Sequence, residues 1–132
     1  MKELDFRCST IESIEQLSKE LHLIFDPDDL QDWEYRVGNP KEIERYISHY
    51  KTLDNDDKKF SLMEIIIQAA TDQHTSAEVG KYWTIIEPIL KQNSAVHDYS
   101  IFYWCCFDNP DVNDCWDITP YMRDLWKKMN QS

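Results

Sequence analysis

The stretch that decides the fold is "NPKEIERYISHYKTLDNDDKKFSLMEIIIQAATD", residues 39–72. Ile43, Tyr46, Ile47 and Tyr50 recur at the spacing that lays apolar side chains along one face of a helix. Asn39-Pro40 stands before them as a capping residue followed by a first-turn proline. After Asp54, a candidate cap, the rhythm resumes in Phe60, Met63, Ile66, Ile67 and Ala70. The stretch therefore predicts two helices joined by a short polar turn.

The same stretch echoes further along. Shifted by 36 positions without a gap, Glu42 falls on Glu78, Ile43 on Val79, Tyr46 on Tyr82, Ile47 on Trp83, Tyr50 on Ile86 and Leu53 on Ile89. In the second helices Phe60 falls on Val96, Met63 on Tyr99, Ile66 on Phe102, Ile67 on Tyr103, Ala70 on Cys106 and Asp72 on Asp108. The expectation is two helical hairpins at 39–72 and 75–108, antiparallel within themselves and stacked in the HEAT-like manner.

Outward from the echo, Ile11, Ile14, Leu17, Leu21 and Ile24 make a stripe behind a Ser9-x-x-Glu12 capping box. A second helix is expected from Pro27 to Gly38, and a fifth is opened by Thr75-x-x-Glu78, with Pro88 inside it. A sixth runs from about Ser94 to Phe107, and Thr119-Pro120 opens the last, which carries Met122, Leu125, Trp126 and Met129. Residues 108–118 are the least regular. Two glycines and no Asn-Gly or Asp-Gly turn argue against hairpin strands. The expected fold is all-α, one domain over residues 1–132, with about seven helices, and with Trp83, Ile67, Tyr103 and Trp126 substantially buried.

Composition bounds the function. With 132 residues and 42 % hydrophobic content the chain can bury one core unaided. "MKELDFRC" at the amino terminus lacks an apolar leader, and the longest apolar run, Ile101 to Phe107, is too short to span a bilayer. A cytoplasmic protein with reduced thiols follows as the expectation. A formal charge of −11 disfavours nucleic acid and anionic membranes, whose phosphates call for lysine and arginine, and favours a basic partner.

Catalytic and metal signatures are missing. Cys105 and Cys106 are adjacent and Cys115 lies nine residues on, so none has the spacing by which thiolates close on one zinc, and small buried filler is the favoured role for the doubled cysteine. His22, His49, His74 and His97 show no pattern that joins one to a nucleophile. Asp108, Asp111, Asp114 and Asp117 recur every three residues, yet Pro110 and Val112 break the calcium-loop order. No phosphate-loop, dinucleotide or hydrolase motif occurs. The expectation is a binding protein rather than an enzyme, with no metal, no cofactor and no small-molecule substrate; a thiol enzyme lacks its base.

"YWCCFD" (103–108) followed by "DCWDITPYMRDLW" (114–126) resembles small acidic immunity proteins of bacterial contact-dependent growth inhibition and other polymorphic toxin systems. The resemblance covers roughly residues 40–129. It is carried most specifically by the tryptophan and aspartate ahead of Thr119-Pro120 and by Met122-Arg123 after it. It implies an inhibitor that binds one cognate toxin, often a nuclease, 1:1 in the cytosol of the producing cell. The alternative is a helical-repeat adaptor or scaffold holding a segment of a host protein.

Helix parity nominates a surface. The turns near 26–29, 54–57 and 91–94 fall at one end of an up-and-down stack, and those near 38, 72–78 and 108–117 at the other. At the first end Asp26, Asp54 and Asp57 are explained as caps or as favourable helix-dipole charges, and Lys58, Lys59 and Lys91 dilute the field. At the second, Asp72, Asp108, Asp111, Asp114 and Asp117 gather around Trp116, and these six are the expected toxin-binding residues. Trp116 either anchors a cationic surface or folds inward beneath the final helix; the sequence leaves both open.

Overall fold

A computed structural model describes residues 6–130. Among these residues there are seven α-helices, two short 3-10 turns and no strand. The helices are α1 (Ile11–Leu21), α2 (Trp33–Arg36), α3 (Ile43–Tyr50), α4 (Asp56–Thr71), α5 (Ser76–Gln92), α6 (Ser94–Trp104) and α7 (Thr119–Met129). The chain divides within α4 into two compact units, residues 7–69 and Phe6 with residues 70–130.

In the first unit α1 buries Ile14, Leu17 and Leu21, while Ile11 and Ile24 of the expected stripe are exposed. Its cap is Thr10, whose hydroxyl accepts the Ser13 N–H at 3.1 Å, so the start lies one residue beyond the Ser9 box. His22 ends the helix in the left-handed region at φ 57°, which leaves Ile24 outside.

The long second helix expected from Pro27 to Gly38 is not formed; only Trp33–Arg36 is helical. Asp26 turns its carboxylate onto the Asp28 N–H at 3.0 Å, an Asx turn rather than a helix cap, and Asp32 is left-handed at φ 58°. The segment is held by side chains instead. Trp33 is buried and donates to the Ile24 carbonyl at 3.1 Å, and Arg36 donates to the carbonyls of Asp29 and Gln31. Gly38 has no positive φ; its small size matters because a Cβ there would meet Ile65 Cγ2 at 3.0 Å.

Asn39 opens a 3-10 turn at Pro40–Glu42 by accepting the Lys41 N–H, and α3 then buries Ile43, Tyr46, Ile47 and Tyr50 as expected. The cap of α4 is Asn55, which accepts the Lys58 N–H at 3.0 Å, and not Asp54. From Phe60 to Ile67 every residue of α4 is buried, so the helix is covered around its whole circumference.

In the second unit Thr75 caps α5 as expected, its hydroxyl accepting the Glu78 N–H at 3.2 Å, and Glu78 reaches back to the Thr75 hydroxyl, which donates to its Oε1 at 3.0 Å. α5 carries Pro88 and passes through Asn93 alone to α6, which packs against both α5 and α7. α7 starts at Thr119 with Pro120 in its first turn, but the Thr119 hydroxyl is not the cap; it donates to the Trp104 carbonyl at 2.9 Å.

The burial pattern of the echo is shared by α3 and α5 and is not shared by α4 and α6. Ile43, Tyr46, Ile47 and Tyr50 are buried, and so are Val79, Tyr82, Trp83 and Ile86. In α6, however, the buried positions are His97, Ser100, Ile101 and Trp104, while the echo positions Phe102 and Tyr103 are 40 % and 37 % exposed. Tyr103 is thus not a core residue, and Trp126 is half-buried; Trp83 and Ile67 are buried as expected. A helix wrapped on all sides, like α4, tolerates apolar residues anywhere, whereas α6 has a solvent side and rotates its apolar echo partly onto it.

Candidate functional site

The expected site residues all lie in the second unit. Asp72 follows the end of α4, and Asp108, Asp111, Asp114, Trp116 and Asp117 lie in the connection between α6 and α7. All five aspartates are exposed and Trp116 is half-buried. The Thr71 hydroxyl accepts the Ile118 N–H at 3.1 Å in a buried bond, so Asp72 and Asp117 each stand one residue from the same contact.

Local chemistry shapes the connection. α6 ends without glycine or a basic residue in its last turn, and Cys106 takes the left-handed position at φ 56° that glycine usually fills. Asn109 then accepts the Asp111 N–H, and Asp111 accepts the Asn113 N–H, both at 3.0 Å, giving two successive Asx turns and a 3-10 turn at Val112–Asp114. Proline at 110 locks the first of them. Asp111 therefore has a structural duty as well as a charge, while the carboxylates of Asp114 and Asp117 enter no ion pair among the described residues.

Two side chains hold this loop against the helices. Trp116 folds inward, stacked on Tyr103 at 5.6 Å and tilted against Trp104 at 4.6 Å between ring centroids. Arg123, from α7, donates through Nε to the Cys105 carbonyl at 2.7 Å and through Nη2 to those of Cys106 at 2.9 Å and Asn109 at 3.0 Å. Its guanidinium also stands 5.5 Å over the Phe107 ring. These carbonyls belong to the α6 terminus and the turn beyond it, where no helical donor remains, so a cation from α7 caps α6 from outside.

Arg123 appeared in the sequence only as part of a resemblance. The available signal was the want of a basic residue at the end of α6, with Arg123 the one arginine beyond residue 45. Sequence reading also missed the surface cluster of Phe102, Phe107 and Trp126, whose rings lie 5.4 to 6.2 Å apart. Phe107 is 48 % exposed and lies beside Asp108 in the chain.

The two adjacent cysteines have different surroundings. Cys105 is buried, and burial pushes its thiol up to about 12, against the opposing influence of Arg123. Cys106 is half-buried in the turn, so the small-and-buried role fits the first cysteine and not the second. Among the described residues no group of three or more His, Cys, Asp or Glu side chains is arranged to hold a metal ion.

No family model, curated protein or solved structure matches the chain. Four exposed carboxylates lie within residues 108–117, a segment without lysine or arginine, and Arg123 below it is engaged with carbonyls rather than with a carboxylate. Such a loop projects an uncompensated negative field from a fixed backbone. Among the described residues no helix is long and apolar enough to cross a membrane.

Proposed function

We propose that this protein is an immunity protein that binds one cognate bacterial toxin, a nuclease, in the cytoplasm of the producing cell and neutralises it through the acidic loop. The observation that carries the reading is the concentration of Asp108, Asp111, Asp114 and Asp117 on a loop fixed by Trp116 and Arg123. Elsewhere many acids have cationic partners, among them Asp57 with Arg7, Asp29 with Arg36 and Asp124 with Lys128. A nuclease surface is basic because it holds phosphate, so a preorganised acidic loop complements it and accelerates the encounter. The protein acts here by occupying a surface, with no chemical step of its own.

Co-expression with the product of the adjacent upstream reading frame tests this. The two proteins should co-purify 1:1, and omission of this chain should kill the host. Asp111→Lys with Asp114→Lys should slow association and flatten its salt dependence more than Asp28→Lys with Asp56→Lys, which makes the same change in charge in the other unit. Greater damage from the second pair, in folded protein, would refute the assignment of the loop.

The adaptor reading draws on a different observation, the exposed Phe102, Phe107 and Trp126 rings, which suit an apolar segment of a host protein. It predicts weak binding to several segments and no lethality on omission.

A further inference from the structure

The acidic loop begins at one cysteine and ends at another, and the fold brings them together. Cys106 and Cys115 are both half-buried. The Cys115 thiol points back at the start of the loop, 3.9 Å from the Cys106 carbonyl and 3.7 Å from that of Asp111. Arg123 Nη2 bridges the two residues, 2.9 Å from the Cys106 carbonyl and 3.9 Å from Cys115 Sγ.

We propose that Cys106 and Cys115 are a dithiol that oxidises reversibly to an intramolecular disulfide by exchange with a low-molecular-weight disulfide, closing the loop that carries Asp108, Asp111 and Asp114. Cys115, whose Sγ lies 3.9 Å from Arg123 Nη2, loses its proton and makes the first attack. It displaces one thiolate from the small disulfide and leaves a mixed disulfide on Cys115. Cys106 then loses its proton and attacks Cys115 Sγ, expelling the second small thiolate. The protein dithiol is oxidised by two electrons, one disulfide is reduced to two thiols, and the two cysteine protons end on those thiols. The neighbouring Cys115 side chain, burial and Asp108 push the Cys106 thiol up to about 11, which disfavours it as the first nucleophile.

The neighbouring cysteines provide internal controls. Cys105 precedes Cys106 in the chain, yet its thiol is buried and pushed up to about 12, so it stays out of the exchange. Cys8 is exposed and belongs to the other unit. The pairing therefore follows from the loop's path, and it goes beyond the toxin-binding proposal without resting on it.

The test uses the full native chain at neutral pH in glutathione buffers of increasing oxidised fraction, with acid quenching, alkylation, intact mass and peptide mapping. The expected result is a population that has lost two hydrogens, with the link mapped to Cys106–Cys115, Cys105 still a thiol, and complete reversal by dithiothreitol. Cys106→Ser should instead trap a glutathione adduct on Cys115. Amide exchange across residues 107–114 should slow on oxidation. A persistent glutathione adduct on the wild-type loop, a link from Cys8 or Cys105, or two intact thiols under excess oxidised glutathione would each overturn the proposal, whatever the outcome of the toxin experiments.

Discussion

Replacing Arg123 probes the joint between the last two helices. Its guanidinium spans three carbonyl acceptors at 2.7 to 3.0 Å, two of them at the end of α6. A hydrogen bond from a charged donor contributes about 1.5–3 kcal/mol, so three taken independently give about 5–9. That sum is too large. The side chain is half-exposed, water can reach the carbonyls once the guanidinium is gone, and the three bonds share one donor group. About 2–4 kcal/mol is the expected loss for Arg123→Met, which keeps the apolar stem and removes the fork. Arg123→Lys restores the charge at the helix terminus but cannot span the three acceptors, and should recover less than half of the loss. Urea denaturation with an unchanged slope measures the difference, and amide exchange should rise first across residues 105–115. A loss below about 0.5 kcal/mol for Arg123→Met, or full recovery by lysine, would show that the fork geometry does not secure the loop.

Ile67→Ala removes a fully buried side chain from the middle of α4 and should cost about 2–4 kcal/mol by the same assay; a cost near zero would contradict the packing of that helix. Gly38→Ala places a methyl group 3.0 Å from Ile65 Cγ2 and should cost about 1–3 kcal/mol, whereas Gly80→Ala meets only the tip of Tyr121 and should cost less. Burial pushes Glu20 up, but hydrogen bonds from Lys58 and His49 outweigh it and hold the carboxyl below its ordinary value. That contribution is therefore present above the unfolded-state value and lost as pH falls through the lower folded-state one. With a third of the side chain in solvent it is worth under about 1 kcal/mol, and Glu20→Gln should flatten the acid limb of stability against pH by that amount.

What the sequence determined by itself is the helical class and most of its punctuation. Apolar spacing is a local property, and it placed α1, α3, α5 and α7, with the whole buried face in two of them: Ile43, Tyr46, Ile47 and Tyr50 in α3, and Val79, Trp83, Ile86 and Leu90 in α5; in α1 Ile11 and Ile24 and in α7 Met129 are exposed. Scarce glycine and the Thr75–Glu78 cap act within a few residues, so they too were legible. Asp26, Asn39 and Asn109 each precede a proline, a pairing that reads as a helix cap followed by a first-turn proline, and the reading holds for Asn39 alone. Each side chain closes a turn onto the residue two ahead, and only Asn39 leads directly into helical structure. The choice depends on what the next ten residues pack against. The region 22–42 is organised by Trp33 and Arg36 reaching back to Ile24, Asp29 and Gln31, contacts that no periodicity encodes.

Tertiary structure alone decided the loop. Trp116 could have faced solvent or the helices, and it is the meeting with Tyr103 and Trp104 that turns it inward. Arg123 is fifteen or more residues from the carbonyls of Cys105 and Cys106 in sequence, yet caps the helix they end. Cys106 and Cys115 looked unrelated by spacing and are brought together by two Asx turns and that same arginine. The physical reason is common to all three. Helix formation is governed by neighbours within a turn, whereas the conformation of a segment without its own hydrogen-bond ladder is set by whichever distant groups satisfy its polar atoms.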